Sequence, residues 1–178
     1  MNSNKELYIV LSQTGTMFSR ALKLFTGARY NHASVSLSSD LKTMYSFGRK
    51  HPYNPFFGGF VVESIDSGTF KRFKNTEATV ISVNISPENY EKLCDVLQKM
   101  TCDSIKHHYN FIGVLFAAFH KVYHKKDCYY CSEFVRDVLI KGDIDGMQML
   151  SPIVWPIHFL KLPHKLLYSG RLNDYSYK

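Results

Sequence analysis

The chain has 178 residues, 45% of them hydrophobic and 21% charged, with a formal net charge of +7. That length gives one domain with a real core, and the balance excludes a disordered segment. No apolar run reaches the roughly eighteen residues of a membrane-spanning helix. The charge favours contact with anionic material or serves solubility, and it specifies no site. Four cysteines (Cys94, Cys102, Cys128 and Cys131) are too few for a disulfide scaffold and read as free thiols. Residues Met1 to Val10 do not form a secretory signal, so a cytoplasmic location is expected.

Glu6 to Ser12 is apolar and β-branched, the pattern of a strand. Met17 to Phe25 suits a short amphipathic helix, stopped by Gly27. Strands are then expected over His32–Leu37, Leu41–Phe47, Phe60–Ile65 and Ala78–Val83, forming a meander. Lys50 to Gly59, with two prolines and two glycines, is predicted as a loop. Ser86-Pro87 starts a helix, and Tyr90, Leu93, Cys94, Leu97 and Met100 mark its inner face. Asn110–Phe119 is a second, more apolar helix, and Ser132–Lys141 a third, closed by Gly142. Three prolines break the remainder, and Lys165–Ser169 suits a last strand. Strands first and helices later predict a single α+β domain over residues 1–178, an antiparallel sheet packed against helices.

The chemistry concentrates at Asp127–Leu139. Cys131, Phe134, Val135 and Val138 share one helical face, and Cys131 falls in the first turn. There the unpaired N–H groups and the helix dipole stabilise a thiolate, and they suit an oxyanion on a bound acyl carbon. His32, at the mouth of a strand, is the candidate base, because a nucleophile and its base need nearness in space and not in sequence. A buried structural thiol and a satisfied structural histidine are the plainer alternatives.

Tyr30–Leu37 (YNHASVSL), Met44–Gly48 (MYSFG) and Tyr130–Val135 (YCSEFV) resemble the histidine strand, the next strand and the nucleophile helix of NlpC-type papain-like cysteine hydrolases. The histidine precedes the cysteine, so the likeness is to the circularly permuted branch, YiiX-like and distantly lecithin:retinol acyltransferase-like. The resemblance implies a permuted papain-like fold with the nucleophile at a helix N-terminus. It implies Cys131 as nucleophile, His32 as base and then acid, and a third polar residue at Ser46. A serine is a departure there, since it holds no charge to steady an imidazolium. Glu63, a carboxylate on the following strand, is the alternative orienting residue.

Cys128-Tyr129-Tyr130-Cys131 also has a dithiol spacing, but no βαβ unit is expected around it. His120, His124, Cys128 and Cys131 have zinc-like spacing, in an order that inverts the usual finger and with lysines between them. Residues 120–126 (HKVYHKK) read better as a solvated basic stretch, and neither metal nor cofactor is expected. Tyr30, Phe56, Phe57, Tyr109 and Tyr130 are candidate substrate contacts. The expected function is hydrolysis or acyl transfer at an amide or ester of a peptide or lipid. The alternative is a binding module that keeps a papain-like groove without the chemistry. No nucleic-acid partner is expected. The basic surface suits peripheral contact with an anionic membrane, although no amphipathic anchor helix stands out.

Overall fold

A computed structural model describes residues 4–14, 27–51 and 54–177. The expected helix over Met17–Phe25 lies outside the described residues. The fold is α+β, built on an eight-stranded mixed sheet. The strands are β1 (Lys5–Gln13), β2 (His32–Ser36), β3 (Met44–His51), β4 (Asn54–Glu63), β5 (Glu77–Ile85), β6 (His108–Tyr109), β7 (Cys128–Tyr129) and β8 (Lys165–Arg171). Their order across the sheet is β7-β6-β4-β3-β2-β1-β5-β8. Among the described residues, the α-helices are α1 (Gly68–Arg72), α2 (Pro87–Cys102), α3 (Phe111–Ala118) and α4 (Cys131–Lys141).

The sheet is covered on both faces, which explains why β1 reads as a continuous apolar run and not as an alternation. Leu7, Ile9 and Leu11 pack with Ala33, Val35, Phe47, Phe134 and Val135 on one face. Tyr8 and Val10 pack with Met44, Phe70, Val80 and Leu172 on the other. β1 pairs antiparallel with β2 on one side and with β5 on the other. The expected meander is therefore correct for β2 to β4 only. β5 returns to the far side of β1, where it covers an edge whose backbone groups need partners.

The loop expected at Lys50–Gly59 is a correction too, because β3 runs to His51 and β4 begins at Asn54. Its glycines mark a close approach and not a turn. A Cβ on Gly59 would stand 2.5 Å from the carbonyl oxygen of His107, and one on Gly58 would stand 2.8 Å from the Cβ of Tyr109. Both are contacts with the neighbouring β6 segment.

The sheet is mixed and not purely antiparallel, because β6 and β7 run parallel, with His108 opposite Cys128 and Tyr109 opposite Tyr129. Strands of two residues carry no periodicity for a sequence reading to find. α2 starts where expected, with Ser86 Oγ accepting from the backbone N–H of Asn89 at 3.1 Å and Pro87 in the first turn. α3 falls within the expected apolar stretch, and only Gly113, Val114 and Ala117 of it are buried. No helix among the described residues is long and apolar enough to cross a membrane.

Candidate active site

The site lies where β2 begins and α4 begins. β7 delivers the chain to Tyr130, the cap residue, and Cys131 is the first residue of α4. Phe134, Val135 and Val138 then sink into the core, which anchors the helix against β2 and β3. Cys131 itself is 5% exposed, and its thiol donates to the backbone carbonyl of Asn31 at 3.8 Å. Ser132 fixes the same turn from behind, donating its hydroxyl to the Val154 carbonyl at 2.7 Å. Glu133 adds a carboxylate to this first turn and accepts from the Tyr130 N–H at 3.4 Å.

His32 opens β2 opposite Ser12 of β1. Its Nε2 lies 2.9 and 3.1 Å from the two carboxylate oxygens of Glu63, at the end of β4. Ser34, two residues along β2 and so on the same face, donates its hydroxyl to Glu63 Oε2 at 2.8 Å. The Cys131 side chain also acts on the charge of the imidazole. Sulfur, imidazole and carboxylate are thus gathered at one place, although they come from α4, β2 and β4.

The electrostatics follow from that grouping. Burial alone would lower the pKa of His32, but the Glu63 charge, the Cys131 side chain and the hydrogen bond the ring donates to Glu63 hold it well above its ordinary 6.5. Burial alone would raise Glu63, but the His32 charge and the hydrogen bonds from His32 and Ser34 hold it below its ordinary 4.5. The side chains of the pair are 15% and 17% exposed, so water screens them weakly.

The remaining candidates fall elsewhere. Ser46 is fully buried and donates its hydroxyl to the Ala33 carbonyl at 2.6 Å, so its proton is committed to the backbone. Tyr30 is 2% exposed and its hydroxyl pairs with Thr79 Oγ1 at 2.6 Å, which places it in the core. Tyr130 is buried against Val114 and Ala117. Burial and then Glu133 raise its phenol, which keeps the proton on the hydroxyl. Tyr109 is half-buried, with its ring centre 4.6 Å from that of Phe111. Phe56 and Phe57 fall on β4, and their side chains lie outside the described residues.

Sequence reasoning missed Ser34, although its place two residues after His32 on one strand was a usable signal. Cys128 and Cys131 are both free thiols. His124 bonds Glu133 through Nδ1 at 3.0 Å. Among the described residues, no group of three or more His, Cys, Asp or Glu side chains is arranged to hold a metal ion.

No family model, curated protein or solved structure matches this chain.

Proposed function

We propose that this chain is a thiol hydrolase or acyltransferase of the permuted NlpC-type papain-like kind, acting on an amide or ester bond. One observation carries the reading: Cys131 at the first turn of a helix, acting on an imidazole that Glu63 holds at 2.9 Å. A carboxylate beside an imidazole that faces a thiol is the arrangement that activates a nucleophile and steadies the charge left behind.

With Nε2 engaged by Glu63, Nδ1 is the ring nitrogen left for the sulfur. The thiol gives its proton to that nitrogen, and Sγ bonds to the substrate carbonyl carbon. The developing oxyanion is stabilised by free N–H groups of the first turn of α4, including that of Cys131. The carbon–nitrogen or carbon–oxygen bond breaks, and the imidazolium returns its proton to the leaving amine or alcohol. Water or an acceptor amine then attacks the thioester, His32 takes its proton, and Cys131 is released. Glu63, not Ser46, holds the ring through both transfers. A carboxylate in that place favours chemistry over a binding module.

The substrate class we favour is a peptide or lipid amide. The free thiols suit a reducing compartment such as the cytoplasm. The test is turnover of a panel of p-nitrophenyl esters and peptide anilides. Wild type should release chromophore, and Cys131→Ala and His32→Ala should not, with unchanged far-UV circular dichroism. Equal turnover by Cys131→Ala would end the proposal.

A further inference from the structure

We propose that the outer face of α3, with the basic segment that follows it, docks the protein on an anionic phospholipid surface. α3 (FIGVLFAA) is apolar around its whole circumference, a composition that normally means burial on all sides. Only one half is covered: Gly113, Val114 and Ala117 face the body, against Tyr130. Ile112, Leu115 and Phe116 lie on the opposite half, and Phe119 just beyond the helix continues it. Leu115 is 61% exposed and Phe119 76%, values that single surface residues show but a contiguous strip rarely does.

The segment after the helix turns back along it. The N–H of Lys121 bonds the Phe116 carbonyl at 2.9 Å, and the Tyr123 ring lies 5.3 Å from that of Phe116. Lys121, Lys125 and Lys126 are all exposed, as is Val122, and Asp127 is the one carboxylate in residues 119–127. An apolar strip bordered by lysines is the chemistry of a helix lying in a bilayer interface, the side chains entering the acyl boundary and the ammonium groups meeting headgroups. Charge also argues against a second copy as occupant. A two-fold contact presents the same patch on both sides and would oppose these lysines to each other.

The test is co-sedimentation of the full chain with phosphatidylcholine vesicles, with and without phosphatidylserine. Binding is expected only with phosphatidylserine. The triple variant Lys121→Ala, Lys125→Ala, Lys126→Ala should weaken it on the order of a hundredfold, at about fivefold for each lysine. Leu115→Ser with Phe119→Ser should abolish it while leaving the melting temperature unchanged, since both side chains are exposed. Equal binding to pure phosphatidylcholine, no binding at all, or a concentration-dependent dimer lost in the same variants would each overturn the proposal. Cys131→Ala should bind like wild type, so failure of docking and failure of the thiol chemistry are read separately.

Discussion

Replacing Glu63 with Gln keeps the shape of the side chain and removes its charge, which isolates what the carboxylate does for His32. In the wild type the imidazole Nε2 meets the carboxylate at 2.9 Å, in surroundings where the two side chains are only 15% and 17% exposed. A hydrogen bond to a charged group at such a site is worth about 1.5–3 kcal/mol. If that stabilisation is felt by the imidazolium formed as the thiol loses its proton, its loss slows the step by about tenfold to 150-fold. The assay is iodoacetamide alkylation at pH 6, with the Cys131 peptide quantified by mass spectrometry so that the other three thiols do not interfere. Glu63→Gln should fall in that window. Ser46→Ala should alkylate at the wild-type rate, because the Ser46 hydroxyl is given to the Ala33 carbonyl. A slow Ser46→Ala beside an unaffected Glu63→Gln would refute the reasoning and return the orienting role to the serine.

Stability should carry the signature of the same pair. The raised pKa of His32 gives stability that is full below 6.5 and is lost as pH rises through its folded value. The lowered pKa of Glu63 gives stability that is full above 4.5 and is lost as pH falls through its folded value. The difference in unfolding free energy between wild type and Glu63→Gln, measured by urea titration, should therefore be greatest between pH 4.5 and 6.5 and shrink on both sides. Tyr30→Phe should cost about 0.5–1.5 kcal/mol in the same titration, for the bond to Thr79, and leave KM for ester substrates unchanged. Gly59→Ala should destabilise by about 1–3 kcal/mol or more, because the new methyl meets the His107 backbone carbonyl, which cannot swing aside as a side chain would; thermal unfolding would show this as a lowered midpoint.

The parts of the fold that were readable in advance are those whose local pattern is long enough to repeat. β1, α2 and α4 have their expected positions because an apolar run, a serine-proline start and a cysteine-phenylalanine-valine face each span two or more turns or pleats. Other parts were not readable because they depend on pairing between distant segments. β6 and β7 are two residues each, and Gly58 and Gly59 read as a turn until the His107–Tyr109 segment is laid beside them. The choice between Ser46 and Glu63 had the same character. Both alternate onto suitable strands, and only the register and twist of β2, β3 and β4 decide which one meets the imidazole. The exposure of the outer half of α3 was not readable either, because apolar residues all round a helix do not say whether each face is covered.

The most direct test of the central claim is to trap the acyl group on the enzyme. The protein is mixed with a p-nitrophenyl ester, quenched in acid and peptide-mapped. One acyl adduct is expected, on Cys131, formed by wild type and absent from His32→Ala. An adduct spread over the other cysteines, or one on Cys131 that forms equally fast without His32, would contradict it.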